Sequence, residues 1–186
     1  MRKTVVIFVL LFMAGNAQAL TDLAFGVYGG LNAPIVQDDT KAGTGFGARV
    51  KFAPSPMLGA AAFFESRKYG DPEIVILQGT PNERTEKTDG GKVTVLGIEG
   101  LIGGTGGGIG PHFYWMIGLG KYKWTRDGYG DLSKVEYHLG PGLEIGFPSG
   151  LGIEAKAKLE VVPTDGGGSR KNLLIFVGAN YHFGLM

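Results

Sequence analysis

From residue 135 to residue 161 the chain alternates almost without a break. Val135, Tyr137, Leu139, Pro141, Leu143, Ile145 and Phe147 fall on one face, and Glu136, His138, Gly140, Gly142, Glu144 and Gly146 on the other. After Pro148-Ser149-Gly150, the residues Leu151, Ile153, Ala155, Ala157, Leu159 and Val161 alternate with Gly152, Glu154, Lys156, Lys158 and Glu160. Successive side chains on a strand point to opposite faces. The stretch therefore predicts a long hairpin with one apolar face and one face of glycine and charge. The same period recurs in segments 23–31, 43–53, 57–67, 91–102, 111–124 and 172–183, and is weakest in 91–102. After Ala19 no window carries a helical stripe at i, i+3, i+4 and i+7. The spacing predicts an all-β chain whose neighbouring strands pair antiparallel in an up-and-down meander.

Alternation alone leaves open which face is inside. The segments run to ~9–13 residues, near the 9–11 that a tilted strand needs to cross a bilayer and longer than the ~5–6 of an average soluble strand. Glycine, 34 residues in all, falls mainly on the charged face, as the narrow interior of an eight-stranded barrel requires. The apolar face carries Phe25, Phe52, Phe113, Trp115, Phe147, Tyr181 and Phe183, all towards the rim that holds the termini. An aromatic girdle of a membrane barrel has that form. The pattern thus predicts an eight-stranded antiparallel up-and-down transmembrane β-barrel. Its links near Pro54, Gly106 and Ser149 lie on the inner side, and links 32–42, 68–90, 125–133 and 163–170 face outward. A water-soluble barrel is the inverse arrangement, with the two faces exchanged.

The N-terminus adds a compartment. Met1-Arg2-Lys3 precedes a short apolar run that ends in Ala17-x-Ala19, the pattern of a cleaved signal peptide. The run is too short for a membrane-spanning helix. The expected division is a signal peptide over 1–19 and a barrel over 20–186. Cysteine is absent, so backbone pairing and packing must hold the exported domain. A net charge of +1 gives no electrostatic argument for nucleic acid.

The last strand reads Gly178-Ala179-Asn180-Tyr181-His182-Phe183. It is similar to the G-x-x-aromatic-x-aromatic signal read by the outer-membrane assembly machinery, with Gly178, Tyr181 and Phe183 in the signal positions. It departs from that signal in two ways: Gly184, Leu185 and Met186 follow the aromatic that is ordinarily last, and Phe176 stands where a polar residue is common. With this ending, the chain from residue 20 onward resembles the small OmpA-like and OmpW-like outer-membrane barrels. The resemblance implies a place in the outer membrane of a Gram-negative bacterium, among outer-membrane lipid and lipopolysaccharide.

The candidate chemistry lies on the charged face. Arg49, Lys51, Glu65, Arg67, Glu99, Glu136, His138, Glu144, Glu154, Lys156, Lys158 and Glu160 all point to the expected lumen. They divide by height into a lower group (Arg49, Lys51, Glu99, Glu144, Glu154) and an upper group (Glu65, Arg67, Glu136, Lys158, Glu160). Buried charges are tolerated only when paired, so nearly balanced signs favour a plug of ion pairs over an ion path. His138 beside Glu136 is expected to be a structural polar-core pair. His112, His138 and His182 sit on different strands at different heights, which argues against a metal, and no cofactor is expected. The glycine-rich link 103–110 fails the phosphate-loop pattern and is expected to be an inner turn. In loop 68–90 the run Ile74-Val75-Ile76-Leu77 lies among charges, and residues 73–78 are expected to form one arm of a hairpin above the membrane. It either holds an extracellular partner, or packs on its own hairpin or caps the lumen. The expected role is structural or surface-interacting, without catalysis. A narrow pore or small hydrophobic-molecule conduit is the alternative, and a lipid A-modifying enzyme is disfavoured because the histidines face the lumen.

Overall fold

A computed structural model describes residues 22–35 and 40–183. It contains ten strands: β1 (Asp22–Pro34), β2 (Lys41–Ser55), β3 (Leu58–Gly70), β4 (Glu73–Ile76), β5 (Arg84–Lys87), β6 (Lys92–Gly103), β7 (Gly110–Arg126), β8 (Tyr129–Gly146), β9 (Leu151–Pro163) and β10 (Ser169–His182). Among the described residues there is no helix. All strands except β4 and β5 form a closed antiparallel barrel in the order β1-β10-β9-β8-β7-β6-β3-β2. β4 and β5 form a separate two-stranded hairpin, with Glu73 opposite Lys87 and Ile76 opposite Arg84.

The eight barrel strands occupy the segments that alternate in sequence. Their outer ends differ from the sequence reading. The expected link 125–133 is mostly strand: β7 and β8 are 17 and 18 residues long, and only Asp127-Gly128 separates them. Gly128 turns the chain with a φ of 76°. Pairing continues through Lys123–Ser133 and Trp124–Leu132 to an irregularity before Arg126. Beyond the lipid both faces of a hairpin meet water, so backbone pairing persists where the apolar alternation stops.

The stagger follows from the register. From Leu23 a line of paired residues runs Leu23–Phe52–Ala60–Gly100–Ile117–Leu139–Leu159–Leu173 and returns to β1 at Ala33. The sheet closes with a stagger of ~10 residues, which for eight strands at ~4.8 Å spacing tilts them by about 40°. Each residue then rises about 2.6 Å along the barrel axis. On β8 the outward positions are apolar from Ile145 to Val135, a height of roughly 26 Å and close to the ~25 Å band of membrane barrels.

That exterior is apolar and open. Val27, Leu96, Ile98 and Val177 are at least half exposed, whereas the charged residues on the opposite face of the strands are buried. The lower edge carries the seven aromatics read from sequence; Phe25 and Phe183 meet edge-on at 5.6 Å, as do Tyr181 and Phe183 at 4.9 Å. Phe46, Phe64 and Tyr137 stand exposed in the upper part of the band. Above them the outward positions turn polar, with Thr44 on β2, Lys68 on β3, Lys92 on β6, Lys121 and Lys123 on β7 and Lys171 on β10.

Depth in this band sets the cost of a charge. Val177→Arg, near mid-height, should destabilise the folded barrel by about 2–4 kcal/mol, and Val135→Arg at the outer edge by about 0–1 kcal/mol. Urea unfolding in lipid vesicles measures both; equal costs would contradict the placement of the band.

Candidate functional site

The lumen is filled by the side chains that the alternation turned inward. Its capacity is set by cross-strand neighbours. His138 stands opposite Gly118, Glu136 opposite Gly120 and Tyr114 opposite Gly142. A Cβ on Gly118 would lie 2.5 Å from His138 Nε2, and one on Gly120 would lie 2.7 Å from Glu136 Oε1. The long side chain of one strand thus occupies the space that its neighbour's glycine leaves. All twelve sequence-predicted lumen residues are buried.

The ion pairs fall within the two groups expected from height. In the lower group Arg49 lies between Glu99, at 3.2 Å, and Glu154, and the Tyr114 hydroxyl donates to Glu154. Lys51 pairs with Glu144 at 2.8 Å, and Asn180 donates to the same carboxylate at 3.0 Å. In the upper group Arg67 pairs with Glu160 at 2.6 Å and Lys158 with Glu65 at 2.6 Å. Tyr28 donates to Glu65 at 3.1 Å, and Asn172 donates to Glu160 at 2.8 Å. His138 joins the groups, with Nδ1 3.1 Å from Glu136 and Nε2 3.3 Å from Glu99. Lys156 is the exception. Its buried ammonium has no hydrogen-bond partner among the described residues and sits 3.6 Å from the centre of the Tyr28 ring, in cation–π geometry.

Both mouths are closed by packing. At the outer one, Tyr69, Val93, Val95, Tyr122, Trp124 and Val162 form a buried cluster, and the Arg170 guanidinium stacks 4.4 Å from the Trp124 ring centre. Tyr69 donates to Asn172 at 2.9 Å, which ties this cluster to the upper charges. At the inner mouth, link 103–110 does more than turn. Gly103 and Thr105 donate backbone N–H bonds to Met57 and Pro56, each at 2.9 Å, and Thr105 is fully buried. Gly107 packs against the His182 imidazole on β10, a strand on the far side of the barrel from β6.

Sequence reasoning missed several members of this network. Asp22 and Glu144 flank His182, with Asp22 2.6 Å from Nδ1. Tyr28, Tyr69, Tyr114, Tyr122, Asn172 and Asn180 complete the hydrogen bonds. The signal was there: each shares the inward parity of its strand. An inward tyrosine, however, reads as apolar in a hydrophobic count. His112 is half-exposed and bonds the Gly108 carbonyl at 2.8 Å through Nε2. The three histidines do not meet, and no group of His, Cys, Asp or Glu suited to a metal occurs among the described residues.

The other sequence candidates are placed as follows. Ala17 and Ala19 lie outside the described residues. Gly178 stands opposite Tyr28, while Tyr181 and Phe183 point outward. Ile74 and Val75 pair with Glu86 and Thr85 in the outer hairpin; Val75 and Leu77 are exposed and Ile76 is half-buried. Leu77 has a φ of 57°, and its carbonyl accepts from Thr80 Oγ1 at 2.7 Å.

No protein-family model and no curated protein matches the chain. Solved structures do. The N-terminal β-barrel domain of Pseudomonas aeruginosa OprF aligns with a TM-score of 0.56 at 13% identity, covering 87% of this chain and 97% of that one. The fold is that of the small eight-stranded outer-membrane β-barrels. Neisserial surface protein A aligns with a TM-score of 0.54 at 13% identity, over 87% of this chain and 96% of its own. Yersinia pestis Ail, solved in complex with the heparin analogue sucrose octasulfate, gives 0.51 at 14% identity, over 89% and 99%. At these identities the likeness is one of fold.

Removing one member of a buried pair should cost more than removing both. Glu65→Ala, which strips Lys158 of its carboxylate, should destabilise the barrel by about 3–5 kcal/mol. Adding Lys158→Met should recover a large part of that loss. A double-mutant cycle by urea unfolding checks this; additive single effects would mean that the pair is not coupled.

Proposed function

We propose that the chain is exported by the signal peptide over 1–19 and resides over 20–186 in the outer membrane of a Gram-negative bacterium, as a closed scaffold that displays surface hairpins and performs no catalysis. One observation carries this reading: the exterior is an uninterrupted apolar band, while the lumen beneath both mouths is filled by paired charges. A filled lumen leaves little room for transport. The parts left for recognition are then the outer hairpins, β4–β5 and the extended ends of β7 and β8. The fold of OprF, NspA and Ail supports the outer-membrane placement, and the sulfated sugar in the Ail structure supports looking for an extracellular partner here, through loop 68–90 and its run Ile74–Leu77. In this reading Gly178, Tyr181 and Phe183 are the residues that the assembly machinery engages.

The narrow-pore alternative has one observation in its favour. Lys156 lies buried without a hydrogen bond, near the Arg49–Glu154 and Arg49–Glu99 pairs, so a small shift would let it compete with Arg49 for either carboxylate. Planar-bilayer recording separates the two. The scaffold reading expects no resolved conductance steps from the purified barrel; regular steps that change in size with Lys156→Met would replace it with the pore.

A further inference from the structure

Charge on the lipid-facing side is distributed unevenly. Lys68 on β3 and Lys92 on β6 are direct cross-strand partners, and both point outward and are exposed. Like charges directly opposite one another destabilise a strand pair. Lys121 on β7, four residues below the Thr125 that pairs with Lys92, is also exposed. Among the described residues no carboxylate pairs with any of these three. Their neighbour Lys123 differs: it pairs with Asp131 at 2.9 Å, and that hydrogen bond holds the Asp131 carboxyl below its usual range. The lumen neutralises its cations almost completely, whereas this rim leaves Lys68 and Lys92 together, and Lys121 below them, without a counter-charge. Lys68 and Lys92 sit just above the apolar band, where headgroups begin, and Lys121 lies at its outer edge beside Val135.

Below them the same strands are hollowed. Ala60 and Ala62 on β3, Ala48 on β2 and Gly100 on β6 are small outward residues among large ones. They line two adjoining apolar hollows of about 610 and 530 Å³ on the outer face. Phe64 and Leu96 border the larger hollow, and the outward positions of β3 and β6 lead from them up to Lys68 and Lys92. Both volumes lie in the range of ligand-binding cavities.

From this juxtaposition we infer that the β2–β3–β6–β7 sector holds one phosphorylated, multiply acylated lipid of the outer leaflet. The phosphate sits at Lys68 and Lys92 with Lys121 below it, and an acyl chain lies in the hollow over Ala48, Ala60 and Ala62. An ammonium cluster at an anionic membrane surface attracts such a headgroup, and the hollow gives the acyl chain a fitted wall in place of loose lipid. The inference rests on the outer-membrane reading above, and it names the lipid that this one sector selects.

The test uses the folded mature barrel in non-ionic micelles, with near-UV circular dichroism confirming native packing of every variant. Bisphosphorylated lipid A is added, and retained lipid is read by native mass spectrometry. Lipid A stripped of phosphate and soluble sucrose octasulfate are the comparison probes. The wild type should retain one bisphosphorylated molecule. Lys68→Gln/Lys92→Gln/Lys121→Gln should weaken retention by about a hundredfold. Ala62→Phe, which fills the hollow, should weaken it without altering the lysines, and Lys87→Gln on β5 should leave it unchanged. Equal retention by the triple variant, or of the dephosphorylated lipid, would overturn the site. Full displacement by sucrose octasulfate with no effect of Ala62→Phe would also overturn it, because the occupant would then be a soluble anion. None of these outcomes alters the circular dichroism, so the site can fail while the barrel reading stands.

Discussion

The interior of an eight-stranded barrel has room for only a limited number of large side chains at each level. The rest of the structure depends on that limit. Tyr28 projects between Gly47 on β2 and Gly178 on β10, and Arg67 lies opposite Gly45. Glycine weakens strands in general, yet here it makes room for the long polar side chains that fill the core. Those side chains are charged, and a buried charge without a partner is costly. Each pair therefore also fixes register. A slip of one residue would turn a glutamate out to the lipid, and a slip of two would separate Lys158 from Glu65 or Arg49 from Glu154. Space and charge together select one pairing of the strands.

The fold was legible in the sequence because a membrane barrel writes its two solvents into a period of two. The alternation through 135–161 requires strand geometry, and the position of glycine distinguishes the inside from the outside. Inward Glu, Lys and Arg could be assigned from parity, and even their division into two levels followed from strand direction. The β7–β8 tip was not legible. Outside the band nothing constrains which face is apolar, so residues 125–133 look like a loop although they pair. Nor were the closing contacts legible. Thr105 under Pro56 and Gly107 against His182 depend on the path of a glycine-rich segment whose sequence carries no period. The coupling of Asp22, His182 and Glu144 joins residues far apart in the chain, which only the closure of β1 on β10 brings together.

The two ends of the barrel also differ. Its lower edge is a dense aromatic girdle on the side of the termini. Its upper edge has few aromatics and several lysines, then hairpins that reach into water. Aromatic rings suit a headgroup boundary of either charge, whereas a lysine rim suits an anionic one. This asymmetry fits the proposed orientation, with the hairpins outward, and in that reading it separates two kinds of function. In the proposed function the lumen keeps the scaffold closed, and the rim and hairpins carry recognition.

The central claim is that the apolar face meets lipid and the charged face is the interior. The chain has two tryptophans that report on this directly. Trp115 lies outward and half exposed, and Trp124 lies inward and buried. In vesicles of lipids brominated on their acyl chains, the Trp124→Phe variant, which keeps Trp115, should be strongly quenched. The Trp115→Phe variant, which keeps Trp124, should be nearly unaffected. Quenching of Trp124 instead, or of neither because the protein stays in solution, would mean that the faces are reversed and that the molecule is a water-soluble barrel.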